Sequence, residues 1–368
     1  MNRHSGDSFF MSNALRYRLA AFLIIKEKSK KVEKEWNFLF FPYMIKIAFN
    51  EDTGVYILML ENVKKSISTV FVGKEETIDL LMVALLSNGH VLLEDVPGTG
   101  KTLLAKTIAK SMGGTFSRIQ FTPDVLPSDV IGLEYFNPKH GEFEKRMGPI
   151  YANIVLADEI NRAMPRTQSS LLEAMEERQV TIEKQTDPLP TPFLVIATQN
   201  PVESHGTFPL PDAQLDRFLL KMNLGYPSRQ DERKIMKRFR AEDPLRGVTP
   251  VITMEEVQQL QEETKQVHIS DCIEDYVLDL VESTRSHKWI EIGLSPRATL
   301  AMLRAAQAKA KMEGRTYCTP EDIQFVFPHI SSHRMMLSME GALHMTKNEV
   351  IRSILDNTDV PVEMSYER

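Results

Sequence analysis

The residues best placed to do chemistry begin at Asp95. An apolar run over 90–94 breaks into Asp95-Val96-Pro97-Gly98-Thr99-Gly100-Lys101-Thr102, then restarts as the helical Leu103-Leu104-Ala105-Lys106-Thr107-Ile108. A glycine-bearing turn between a strand and a helix aims several backbone N–H groups at one point, above a helix N-terminus that favours negative charge. The phosphates of a nucleotide fit there. Lys101 would reach the β- and γ-phosphates, and the Thr102 hydroxyl would ligate Mg²⁺. The pattern G-x-x-x-x-G-K-[ST] is incomplete, because Asp95 stands where the first glycine belongs.

A second apolar run, 154–157, ends in Asp158-Glu159. Standing alone, two adjacent carboxylates could be an exposed acidic turn. Downstream of a phosphate loop they divide the labour of hydrolysis. Asp158 would hold Mg²⁺, directly or through water, and Glu159 would orient and polarise the water that attacks the γ-phosphate. A third run, 193–197, leads into Thr198-Gln199-Asn200-Pro201. Asn200 would hydrogen-bond the same water or the γ-phosphate, although Asn-Pro by itself is a turn signal.

The elements that must position these groups alternate. Helical apolar spacing covers 75–87 and 101–112, and short apolar or alternating strands cover 90–94, 116–121, 154–157 and 193–197. Such a pattern predicts an α/β fold with an open, mostly parallel sheet. Ligands in these sheets lie at the carboxyl ends of the strands, which is where each motif falls. After Tyr226-Pro227 the strands stop and capped helices follow. Thr253-Met254-Glu255-Glu256 reads as a capping box, and Ser295-Pro296 and Thr319-Pro320 each place a cap residue before a helix-starting proline.

Composition sets outer bounds. The chain has 368 residues, 42% hydrophobic and 26% charged, enough for two or three globular domains. The net charge of −6 has no long block of one sign, which argues against a dedicated nucleic-acid surface. Cys272 and Cys318 are far apart and read as small apolar residues in a reducing cytoplasm. No run approaches eighteen apolar residues, so no integral membrane segment is expected.

Residues 1–57 differ from the rest, with nine Lys/Arg against six Asp/Glu, which leaves −9 for the remainder. This stretch could be a membrane-touching or partner-binding extension, a poorly ordered tail, or a segment upstream of a true start at Met59. The third reading is favoured, because regular patterning begins only there.

Further on comes Gly206-Thr207-Phe208-Pro209-Leu210-Pro211-Asp212-Ala213-Gln214-Leu215-Asp216-Arg217-Phe218. With this stretch, over residues 58–340, the sequence resembles the MoxR family of AAA+ ATPases. The other supporting stretches are Leu92 through Thr102, Arg118-Ile119-Gln120-Phe121-Thr122-Pro123-Asp124, Leu126-Pro127-Ser128-Asp129, Gly148-Pro149-Ile150, Ala157-Asp158-Glu159-Ile160-Asn161-Arg162-Ala163 and Thr198-Gln199-Asn200-Pro201. Asp95 is common at that loop position in the family, so its presence there is compatible with ATP binding.

The resemblance implies an AAA+ P-loop αβα sandwich with a mostly parallel sheet, followed by a small all-α lid domain. Residues 1–57 would be the extension, 58–225 the ATPase core, 226–340 the lid and 341–368 a C-terminal tail. It implies Mg-dependent ATP hydrolysis in a ring, commonly a hexamer, with nucleotide between subunits. The nucleotide would lie against Val72, Gly73, Asp95, Val96, Pro97, Gly98, Thr99, Gly100, Lys101, Thr102 and Leu103. Arg217 corresponds to the arginine that reaches a neighbour's γ-phosphate, with Arg162 and Arg166 as rivals. It could instead form an ordinary ion pair with Asp212 or Asp216. Gly293-Leu294-Ser295-Pro296-Arg297-Ala298 resembles the sensor-2 motif, so Arg297 would meet bound γ-phosphate and let the lid close over ATP. Residues 130–147 and 179–192 look like the family's projecting insert and hairpin. The family's role would be that of a cytoplasmic chaperone acting on a protein client, possibly one with a von Willebrand factor A domain. A nucleic-acid motor or transcription regulator on the same core, and a scaffold that binds ATP but barely turns it over, are the alternatives.

Overall fold

The computed structural model describes residues 51–361, apart from 97, 201–205 and 242. Residues 1–50 and 362–368 therefore lie outside the description, as do most of the expected extension and the end of the expected tail. Pro97, one of the expected nucleotide contacts, also lies outside it.

A five-stranded parallel sheet organises the core. Its strands are β1 (Val91–Glu94), β2 (Phe116–Gln120), β5 (Ile154–Asp158), β8 (Leu194–Gln199) and β9 (Leu220–Met222), in the order β2-β5-β8-β1-β9. Successive side chains on a strand point to opposite faces. Val91 and Leu93 accordingly join one buried cluster, with Ile154, Leu156, Leu194 and Ile196, and Leu92 joins the other, with Val155, Ala157, Val195 and Ala197. Burial on both faces explains why these strands read as continuous apolar runs rather than alternating ones.

Helices cover both faces. Helices α1 (Glu51–Val70), α2 (Glu75–Leu86) and α3 (Lys101–Ser111) pack with the first cluster, and α5 (Pro165–Glu177) packs with the second. Between β2 and β5 the chain inserts a short helix, α4 (Pro127–Ile131), and an antiparallel hairpin of β3 (Gly132–Asn137) and β4 (Glu142–Met147). The hairpin leaves Tyr135, Phe136, Phe143 and Met147 exposed. A second hairpin, β6 (Gln179–Ile182) with β7 (Gln185–Pro188), precedes β8. Both fall in the two segments anticipated as inserts.

The rest is mainly helical. The elements are α6 (Asp212–Leu215), α7 (Arg229–Ala241), α8 (Met254–Thr264), α9 (Asp271–Ser286), α10 (Pro296–Met312), α11 (Pro320–Ser331), α12 (Met339–His344) and α13 (Lys347–Asn357). The caps work as read: the Glu256 N–H donates to Thr253 Oγ1 at 3.2 Å and the Ala298 N–H to Ser295 Oγ at 3.4 Å. At Thr319 the backbone N–H donates to Asp322 Oδ2 at 2.9 Å. Val257, Leu280, Met302 and Phe327 share one cluster with Leu80, Leu81 and Val83 of α2, so this region rests directly on the core. The Gln261 side chain also donates to Leu85 O at 2.7 Å.

Four boundaries differ from the sequence reading. Helix α1 starts at Glu51, before the expected edge at 57, and runs through Met59. Met59 therefore marks no element start. Strand β9 was not anticipated, because its three residues are too few to show a period. Strands do not end at 226: β10 (Ile290–Ile292) pairs with β11 (Met336–Leu337). The expected tail from 341 contains α13, whose Val350, Ile351 and Ile354 are buried in the main cluster.

Candidate active site

The phosphate loop is built by glycine conformation. Gly98 (φ 86°) and Gly100 (φ 90°) both take left-handed backbone angles, which side chains with a Cβ rarely adopt. Gly100 is the N-cap of α3, no side chain caps that end, and the first turn holds no acid. The free N–H groups of the helix start thus face the loop's concave side, which suits an anion. A Cβ on Gly98 would meet nothing within 4 Å, so the loop is open on that side. Lys101 Nζ donates to the carbonyls of Asp95 (3.2 Å) and Val96 (3.3 Å), folding the ammonium back over the turn.

Asp95 explains its own departure from glycine. It is buried, and its Oδ1 accepts from its neighbour Val96 N (2.9 Å) and from Gly225 N (3.3 Å). Lys74 donates to Gly225 O at 2.8 Å. Burial lowers the Lys74 pKa, against the opposing pull of Asp95 and Asp231. The loop, the Val72-Gly73 turn and the Gly225 backbone are thereby tied together. Gly73 (φ 62°) lies so close to the Asp231 carboxylate that a Cβ would come within 2.4 Å of it.

Strand register brings the acidic pair opposite the loop. Glu94 aligns with Gln199 and Ala157 with Ala197, so the tips of β1, β8 and β5 lie level. Two strand spacings separate β1 from β5, about 10 Å, which leaves room for a triphosphate between them. Asp158 is buried. Its Oδ1 accepts from Thr198 Oγ1 (2.6 Å) and its Oδ2 from Arg118 Nη2 (2.7 Å) and Nε (3.2 Å). Glu159 takes a left-handed backbone angle (φ 58°), its N–H donates to Thr198 Oγ1 at 2.8 Å, and its Oε2 accepts from Gln120 (3.0 Å) and Arg162 (2.9 Å). A non-glycine residue held there is a local cost that the surrounding bonds must offset. Asn200 is buried beside them, and its carbonyl accepts from Asn161 at 3.5 Å.

Among the described residues no three His, Cys, Asp or Glu side chains cluster as a metal cage. Mg²⁺ on a nucleotide needs none, since it keeps waters and phosphate oxygens and takes one or two protein ligands. Thr102 on the first turn of α3 and Asp158 fit that donor set.

The arginines divide between two ends of the sheet. Arg162 pairs with Glu159, and Arg166 is exposed near the start of α5, so both belong to the carboxyl-end side. Arg217 precedes β9 and therefore lies at the amino ends. Its Nε contacts Glu176 Oε2 at 2.8 Å, at the far end of α5, and not Asp212 or Asp216 as an ordinary pair would require. Arg297 was expected to meet a bound γ-phosphate. In this structure its Nη2 meets Glu176 Oε1 at 2.9 Å and its Nε lies 3.9 Å from Asp216. The helical region is seated against the amino ends of the sheet, and that carries Arg297 away from the loop. Both arginines line a cavity of about 580 Å³, with His90, Arg178, Arg304 and Arg334.

Sequence reasoning missed Arg118, Gln120 and Thr198 as supports of the acidic pair, although all three lie inside the quoted motifs. It also missed Glu176 and Arg334, which gave no local signal, and it weighed Asp216 only as a partner of Arg217, not of Arg297 and Arg334. Their ion-pair partners are 41 or more residues away in the chain.

Residues 90–220 match the model of the ATPase family associated with various cellular activities (AAA), and residues 282–354 match that of the AAA lid domain. Together with the parallel sheet and the glycine loop, these define the class: an AAA+ core with its lid. Chaperone MoxR1 of Mycobacterium tuberculosis is 42% identical over 84% of this chain and 85% of its own. Protein MoxR of Methylorubrum extorquens is 30% identical over 81% and 94%. A solved structure from Cytophaga hutchinsonii, of a protein regarded as an ATPase, is 39% identical, with a TM-score of 0.80 over 85% of this chain and 98% of the other. The chain belongs to the MoxR family of AAA+ ATPases.

Proposed function

We propose that this protein hydrolyses ATP to ADP and phosphate, with Mg²⁺, in a ring of identical chains of which six is the expected number. It would spend that energy as a cytoplasmic chaperone that assembles or activates a protein client, with a von Willebrand factor A partner as one candidate. One observation carries the reading. The loop and the acidic pair occupy the carboxyl ends of the sheet, and the Arg217–Arg297 pair occupies the amino ends. That separation suits a site shared by two copies, in which one chain's arginines meet the next chain's triphosphate.

In this scheme the N–H groups at the start of α3 and Lys101 bind the phosphates, along with the flanking loop residues 95–103. Thr102 and Asp158 would hold Mg²⁺, which would supply charge neutralisation on the phosphates. Glu159 orients a water for in-line attack at the γ-phosphorus and draws on its proton as the bond from that phosphorus to the β,γ-bridging oxygen breaks. Asn200 hydrogen-bonds the water or the γ-phosphate, and Arg217 and Arg297 of the neighbour stabilise charge on the transferring group. Val72 and Gly73 border the base. The test is Glu159→Gln. Turnover should fall by about 10²–10⁴-fold while ATP still binds. Equal turnover in the variant and the native protein would overturn the proposal.

A further inference from the structure

The two arginines assigned to a neighbour's triphosphate stand on separate parts of the chain. Arg217 belongs to the core, just ahead of β9, and Arg297 opens α10 in the lid. One side chain joins them. Glu176, near the end of α5, receives Arg217 Nε on Oε2 at 2.8 Å and Arg297 Nη2 on Oε1 at 2.9 Å. Each carboxylate oxygen serves one guanidinium. Behind them Asp216 lies 3.9 Å from Arg297 Nε and accepts from Arg334 Nε at 2.6 Å. A chain of alternating charges thus runs from core to lid: Arg217, Glu176, Arg297, Asp216, Arg334. With three cations and two anions, it keeps one positive charge for an incoming phosphate.

We infer that Glu176 is a positioning residue of the shared site. It holds the core arginine and the lid arginine as one unit, so that both meet a neighbour's γ-phosphate together. The inference rests on the two-copy reading of the site given above. A bridging carboxylate fixes two long, mobile side chains before the anion arrives, and it offsets the repulsion between two guanidinium groups that must converge. The Glu176 side chain is 36% exposed, so water screens these ion pairs and they add little to stability. What the arrangement supplies is orientation. Because one partner rides on the lid, a lid displaced from the core would split the pair, which makes the arginine centre responsive to the lid's position.

The test measures steady-state ATP hydrolysis by the full chain, with assembly state followed by light scattering. Glu176→Gln keeps the side chain's size but offers one accepting oxygen and no charge. It should lower kcat on the order of tenfold, with KM for ATP within about twofold, because the nucleotide's own loop lies at the opposite end of the sheet. Glu176→Asp, which retains the charge on a shorter stem, should fall between the two. Arg217→Ala and Arg297→Ala should be strongly non-additive in the native background and close to additive when Glu176 is replaced by Gln. If the arginine variants each lose activity but Glu176→Gln keeps full kcat, or leaves their coupling intact, Glu176 does not position them and the shared site stands without it. Loss of assembly in Glu176→Gln would make Glu176 an interface contact and overturn the inference too. If neither arginine variant lowers turnover in the assembled protein, the shared-site reading itself fails.

Discussion

Lowering the pH from 7 to 5 should weaken the fold through His90, the residue just ahead of β1. Its ring is fully enclosed. The Val195 N–H donates to Nδ1 at 3.0 Å, so Nδ1 must be the acceptor, and Nε2 carries the proton toward Met175 O at 3.0 Å. Burial, and then the nearby Arg178 guanidinium, push its pKa down to about 3. The folded chain therefore keeps His90 neutral across this range, while the unfolded chain takes up a proton below the ordinary value near 6.5. The contribution is complete above that ordinary value and is lost as pH falls from it toward 3. Linkage gives a loss of about 2 kcal/mol between pH 7 and 5, and about 4 kcal/mol by pH 3. His333, held well below its ordinary value by burial and then by Arg334, acts in the same direction. Urea unfolding followed by circular dichroism at both pH values measures the total. His90→Gln should be less stable at pH 7, yet its loss on going to pH 5 should be smaller than the native protein's by about 2 kcal/mol. The exposed carboxylates are the same in both proteins and cancel in that difference. Equal losses would refute the assignment of a neutral, buried His90.

Two further outcomes follow from the geometry. Gly132→Ala places a Cβ within 2.4 Å of Arg146 O and 2.7 Å of Gly148 N, at φ 103°. The β3–β4 hairpin must shift, at a cost of roughly 1–3 kcal/mol, and limited proteolysis should cut there sooner; an unchanged digestion pattern would contradict the close approach. Mixing Arg217→Ala with Lys101→Ala, each inactive alone, should recover part of the ATPase activity by pairing intact half-sites. A mixed assembly that stays inactive would count against sharing.

Much of the carboxyl-end site was legible because its parts are local in sequence. Gly98 through Thr102, Asp158-Glu159 and Asn200 each sit where an apolar strand ends, so the period and its interruption locate them together. The parallel sheet was readable for the same reason: strands buried on both faces leave continuous apolar runs. What could not be read was the position of the helical region. Arg297 carries a good local signature, but which end of the sheet it meets depends on packing between α2, α8 and α10, and those contacts leave only generic apolar spacing. Glu176 shows the limit most clearly. It is an exposed acid on an amphipathic helix, indistinguishable in sequence from Glu173 or Glu177, and it acquires meaning only from partners 41 and 121 residues further on. Strands of two or three residues, such as β9 and β11, are too short to carry any period.

Arg334 has a mechanical consequence. Besides Asp216, its guanidinium donates to the carbonyl oxygens of Asp216 (3.1 Å), Phe218 (2.6 Å), Leu219 (3.0 Å) and Ile330 (2.7 Å). Withdrawing it would leave the Asp216 carboxylate and those carbonyls without this donor, at the cost of several hydrogen bonds to a charged group. That corner therefore fastens α11 to the segment just ahead of β9 at one densely bonded point. Helix α10, with 17 residues, is a lever arm of about 25 Å. A turn of a few degrees about that corner would become ångström-scale travel at the arm's tip.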